Sequence, residues 1–208
     1  MGKVLPPTSV LISIRSKWCE LIISKKKTIE IRKSRPALDV PFKVYIYCTV
    51  GNPTLNIPIS DERLRADLLV NGMQCMNCPI GNGKIIGEFV CDQIEEIAVA
   101  RRGGDGPLTA RGGNEVWNGG MVEYMSCLST DDICRYVGGI GRVGYGWHIS
   151  DLKIYDQPKE LSVFHRPCLN GLYCESCAVF QEHKQICGNS ALQITRPPQS
   201  WCYVEGLE

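Results

Sequence analysis

The sequence lacks any run of about 18 apolar residues, so no transmembrane helix is expected. It also lacks an excess of charge of either sign. Its 23 Lys and Arg stand against 22 Asp and Glu, a net charge of +1. That balance excludes a protein that coats nucleic acid by bulk electrostatics and leaves only local basic clusters to weigh. The opening Met1-Gly2-Lys3-Val4-Leu5-Pro6-Pro7 lacks the apolar core of a signal peptide, so a cytoplasmic setting is expected. No repeat of solenoid length is present. Cysteine falls short of a disulfide scaffold: 12 Cys in 208 residues is about 6 %. In a reducing compartment such thiols serve metals or chemistry more often than disulfides.

What is present is enough for a core. Hydrophobic residues make up 44 % and charged residues 22 %, which excludes disorder of the whole chain. Val10-Leu11-Ile12-Ser13-Ile14 predicts a first strand. Trp18, Leu21 and Ile22 recur at helical spacing and predict a short helix over 16–24. Thr28-Ile29-Glu30-Ile31-Arg32 alternates, which predicts a half-buried strand with Thr28, Glu30 and Arg32 on one face. Further strands are expected over 42–47, 84–90, 146–154 and 200–204. Ser129-Thr130-Asp131-Asp132 marks a helix start. Pro158-Lys159-Glu160-Leu161 predicts another, with Pro near its first position. The pattern reads as one α+β domain over 1–208, a small barrel-like sheet with short flanking helices. Three stretches read as additions: an insertion over 51–83, a Gly-rich loop over 101–120 and a cysteine-rich insertion over 165–190.

The segment that carries chemistry is Lys25-Lys26-Lys27-Thr28-Ile29-Glu30-Ile31-Arg32. Glu30 and Arg32 are two apart on a strand and share a face, and Lys27 just before it reaches the same space. A guanidinium there offers a fork to phosphate or to a base edge. Lys27 beside Glu30 also suits proton transfer. The same three residues would equally make a structural salt bridge at a barrel mouth, and the residues alone leave both readings open.

This segment resembles the signature of the ASCH domain family of the PUA-like superfamily, G-x-K-x-x-E-x-R. Lys27, Glu30 and Arg32 match it, and Lys25 stands where the family has Gly. Leu11-Ile12-Ser13-Ile14-Arg15 is similar to the family's opening strand, and 84–89 with Gly87 to its central one. Gly146-Trp147-His148-Ile149 and 197–204 resemble ASCH proteins of bacteria and their phages. The resemblance covers most of the chain outside the three additions. It implies a PUA/ASCH-like β-barrel that binds RNA or a nucleotide in a cleft lined by Lys26, Lys27, Glu30 and Arg32, with Ser13 and Arg15 as neighbouring contacts. It implies, as an alternative, an amidohydrolase acting on N4-acylated cytidine-like nucleosides with Lys27 and Glu30 as catalytic groups. In such enzymes a Thr stands at the position of Glu30. Glu88 is a further candidate carboxylate. His148 is expected to be a hydrogen-bonded structural residue, and Trp147 and Trp201 core residues rather than base-stacking ones.

The second constellation is Cys168-x5-Cys174-x2-Cys177-x9-Cys187. Four thiolates with one Cys-x-x-Cys pair suit a tetrahedral zinc site, and His183 could replace one thiol. An iron–sulfur cluster is the alternative. Cys75 and Cys78 form a second Cys-x-x-Cys that could instead complete a four-thiolate site with Cys174 and Cys177. Cys19, Cys48, Cys91, Cys127, Cys134 and Cys202 read as small buried hydrophobes. A zinc-stabilised interaction module of phage or mobile-element origin is the third functional reading.

Overall fold

The computed structural model describes residues 8–58, 79–98, 109–111, 117–139, 141–168 and 190–207. They form an α+β structure of two sheets, one of five strands and one of four. No closed barrel forms among the described residues. No helix among them is long and apolar enough to cross a membrane. The chain divides into two compact units, one of residues 1–16, 44–87 and 154–208, the other of residues 17–43 and 88–153.

In the first unit, strand β1 (Thr8–Ile14) is a central strand. It runs parallel to β3 (Phe42–Cys48), with Val10 opposite Val44, and antiparallel to β9 (Trp201–Glu205), with Val10 opposite Tyr203. A strand covered on both faces reads as a nearly unbroken apolar run, and every residue of β1 after Thr8 is buried. Strands β4 (Ile85–Cys91) and β8 (Ser150–Lys159) complete the sheet order β8-β4-β3-β1-β9, and residues 88–91 and 150–153 of these strands fall in the second unit. The core gathers Leu11, Tyr45, Ile85, Phe164 and Val204, with the Tyr45 and Phe164 rings edge to face at 4.7 Å.

The short helix predicted to open at Pro158 does not start there. Pro158 lies within β8, an edge strand, where a residue without an N–H is tolerated. A single 3-10 turn, Leu161–Val163, follows.

The second unit holds the antiparallel sheet β2-β7-β5-β6, made of β2 (Ile29–Arg32), β7 (Val143–His148), β5 (Ile94–Ala98) and β6 (Thr109–Arg111). Helix α1 (Ser16–Ile23) leads into β2. Helices α2 (Gly119–Ser126) and α3 (Thr130–Val137) supply Val122, Ile133 and Val137 to a core with Ile29, Ile31, Ile97 and Trp117. Strand β6 falls inside the stretch read as loop, and β5 and α2 were not foreseen. β2 is buried on both faces rather than half-buried.

Helix α3 starts where its cap residues predict. The Ser129 hydroxyl accepts the Asp132 N–H at 3.1 Å. Gly144 is required by packing, because a Cβ there would lie 2.6 Å from Val137 of α3.

Candidate functional site

The site grows from the turn between α1 and β2. Lys25 N–H bonds the Ile22 carbonyl at 2.9 Å and Lys26 N–H the Leu21 carbonyl at 2.9 Å, the paired closure that ends many helices. Such a closure places its pivot residue in the left-handed region, and Lys25 has φ 59°. This is the position at which the resembled signature has Gly. A side chain there costs about 1 kcal/mol or more.

The turn is fastened to α2. Thr28 N–H bonds the Met125 carbonyl at 2.8 Å, and the Cys127 thiol lies 3.4 Å from the Lys26 carbonyl. Lys27 is thereby aimed at the end of that helix. Its ammonium donates to the Ser126 carbonyl at 2.8 Å. A cation on the last carbonyls of a helix also meets the negative end of the helix dipole.

Lys27 Nζ then lies 3.3 Å from Glu30 Oε2, and Arg32 Nη2 lies 3.1 Å from Glu30 Oε1. One carboxylate thus holds two cationic side chains, one on each oxygen. The side chains are only 2 % (Lys27), 9 % (Glu30) and 7 % (Arg32) exposed. The Trp18 ring of α1 faces the ammonium, 5.4 Å from its centroid. In the sheet, Glu30 pairs with Trp147 and Arg32 with Tyr145 of β7. Trp147 is fully buried, edge-on to Phe42 at 5.9 Å, so it builds the wall behind the cluster and offers no stacking face.

Chemically, the cluster is a preorganised array in which donors and charge are fixed before any ligand arrives. In a medium of low effective dielectric, such fixed charges act more strongly than solvated ones.

The other candidates fall in different places. Lys26 is exposed at the turn. Ser13 and Arg15 belong to the first unit. The Ser13 hydroxyl donates to the Pro198 carbonyl at 2.6 Å, and Arg15 is exposed. Glu88 pairs with Lys43 at 3.4 Å. His148 is hydrogen-bonded as expected, Nδ1 to Asp92 Oδ1 at 2.7 Å. Trp201 meets Tyr203 edge to face at 5.4 Å. Cys168 is described and carries no disulfide. Cys174, Cys177, His183 and Cys187, like Cys75 and Cys78, lie outside the described residues. No group that could hold a metal ion occurs among the described residues. Cys19, Cys48 and Cys91 are buried as expected, whereas Cys127, Cys134 and Cys202 are partly exposed. Burial, and then the charge of Asp92, pushes the Cys91 thiol up to about 12.

Sequence reasoning missed Trp18 and Ser126 as members of the site. Trp18 was visible only as a helical core position. Ser126 contributes a backbone carbonyl, which no residue type announces.

No family model matches the chain. Its structure is similar to solved structures of ASCH from Zymomonas mobilis. The parent crystal structure shares 15 % identity at a TM-score of 0.43, covering 94 % of this chain and 86 % of that one. A tyrosine-to-phenylalanine variant gives 16 % and 0.43, covering 94 % and 88 %. A serine-to-alanine variant gives 16 % and 0.44, covering 96 % and 90 %.

Proposed function

We propose that this protein binds RNA or a nucleotide, and that Lys27, Glu30 and Arg32 receive its phosphate. The observation that carries the reading is the shared carboxylate. Glu30 holds an ammonium and a guanidinium together, one at each carboxylate oxygen, in one buried cluster. Arg suits a phosphate because its planar fork matches two oxygens at once, and Lys adds a point charge. The match of Lys27, Glu30 and Arg32 to the ASCH signature supports the same reading. A near-neutral chain favours binding at such a local cluster over binding along a broad basic face.

The test is thermal unfolding of the whole chain with and without a nucleoside monophosphate. A ligand that binds only the folded state raises the melting temperature. The parent protein is expected to show that rise, and Lys27→Met to lose most of it. Equal rises in both proteins would remove Lys27 from the site.

The buried Lys27–Glu30 contact favours a second reading, hydrolysis of N4-acylated cytidine with Lys27 and Glu30 moving the proton. Incubation with N4-acetylcytidine and detection of free cytidine decides it. No release from a protein that still binds nucleotide ends that reading.

For the cysteine block we propose a zinc ion on Cys168, Cys174, Cys177 and Cys187, supported by their spacing and by the unbridged Cys168 thiol. Zinc there would order a segment poor in apolar residues. Metal analysis of the purified protein tests it; absence of both zinc and iron after anaerobic purification rejects a metal at this block.

A further inference from the structure

The outward face of α2 presents two exposed apolar side chains. Its inward positions Val122 and Ser126 are buried. Outward, Tyr124 is 82 % exposed, and Met121, one turn earlier on the same side, is exposed as well. An aromatic ring left in water costs hydrophobic free energy that a ligand recovers.

The C-terminal end of α2, which carries Tyr124, meets the basic turn. The Cys127 thiol lies 3.4 Å from the Lys26 carbonyl and 3.8 Å from the Tyr124 carbonyl, so the basic turn and the end of α2 meet at one junction. Lys25 and Lys26 are both exposed there. The acidic side chain nearest to Tyr124 in sequence is turned away. Glu123 Oε1 accepts from the Thr130 N–H and hydroxyl, each at 2.5 Å, and caps α3 instead of facing the junction. Lys27, next in the turn, carries the buried ion cluster.

A flat ring, two solvated cations and a buried cationic cluster in sequence suit one chemistry. Phosphates follow the cations and an unpaired base lies on the ring. A duplex hides its base faces and gains nothing from an exposed tyrosine. We infer that Tyr124 is a stacking platform for an unpaired base, and that the ligand of this site is a single-stranded segment of nucleic acid whose backbone runs over Lys25 and Lys26. This inference rests on the nucleotide-binding reading above and names its substrate class.

The test titrates the full-length protein with three probes: a labelled oligouridylate of about ten nucleotides, the same strand annealed to its complement, and uridine monophosphate. The parent is expected to prefer the single strand to the duplex. Tyr124→Ala is expected to weaken single-strand binding about tenfold, and Tyr124→Phe to restore it. Lys26→Gln is expected to lower the salt dependence of single-strand binding by about one unit of slope. All three changes are at exposed positions, so the fold is retained. If the monophosphate binds but Tyr124→Ala binds the single strand like the parent, the platform is refuted and the nucleotide reading survives. Equal affinity for duplex and single strand also refutes it. If none of the three probes binds, the nucleotide-binding reading fails and the platform with it.

Discussion

The Lys27 ammonium donates to the Ser126 carbonyl at 2.8 Å, across 99 positions of sequence. That bond joins the basic turn to the end of α2 and fixes the ammonium beside Glu30. Position in this site is therefore set by a helix terminus as much as by the strand that carries Glu30 and Arg32.

The shared carboxylate predicts an order of stabilities. Glu30→Gln leaves two cationic side chains adjacent without the anion that bridges them. Removing one partner from a buried ion pair costs about 3–5 kcal/mol. Lys27→Met leaves the Glu30–Arg32 pair in place and is expected to cost less, even with the Ser126 bond lost. Urea unfolding of both variants checks this; a larger loss for Lys27→Met contradicts the bridging role of Glu30.

The left-handed turn predicts a gain. Lys25→Gly relieves a side chain held at φ 59° and is expected to stabilise the protein by about 1 kcal/mol. The same change removes one exposed cation, so single-strand binding is expected to weaken as stability rises. A stability unchanged or lowered in chemical denaturation would refute the strain at Lys25.

Close packing of α3 on β7 predicts a loss at Gly144. The new Cβ of Gly144→Ala would meet Val137 at 2.6 Å, and overpacking of this kind costs about 1–3 kcal/mol. Combining it with Val137→Ala is expected to cost less than the sum of the two single changes. Simple additivity would show that the two positions do not compete for space.

The Cys91 thiol predicts alkaline sensitivity. Its value in the folded protein, about 12, stands above an ordinary thiol value of 9.0. The folded state thus holds this proton more tightly than the unfolded state. Its contribution is complete below pH about 9 and is lost as pH rises from there toward 12. Unfolding free energies measured across that range are expected to fall, and Cys91→Ala is expected to flatten the fall. Rapid alkylation of Cys91 in the folded protein at pH about 9 would contradict the buried, protonated thiol.

Much of this was legible in the residues, and what was not has physical reasons. The strands at β1, β2, β3 and β9 announce themselves through apolar runs and alternation. The α3 cap is written in Ser129 and its acidic first turn. Lys27, Glu30 and Arg32 were legible as a set because strand geometry puts the last two on one face. Strand β5 was hidden by its adjacent Glu95 and Glu96, which break alternation. Helix α2 begins with two glycines and follows a Gly-rich stretch, so propensity argued for loop while burial of Val122 decided for helix. Pro158 was read as a helix start because Pro favours that position. The edge of a sheet tolerates it as well, and tertiary context made the choice. The Trp18 and Ser126 contributions depend on long-range packing and leave no local signal.

The measurement that tests the account most directly is calorimetric titration of the full-length protein with the short single-stranded oligouridylate, parent against Arg32→Lys. Lysine keeps the charge but not the fork. The predicted result is binding by the parent and an affinity about tenfold lower in the variant, a difference of about 1.4 kcal/mol. Equal affinities, with the fold intact, would contradict a phosphate seat at Lys27, Glu30 and Arg32.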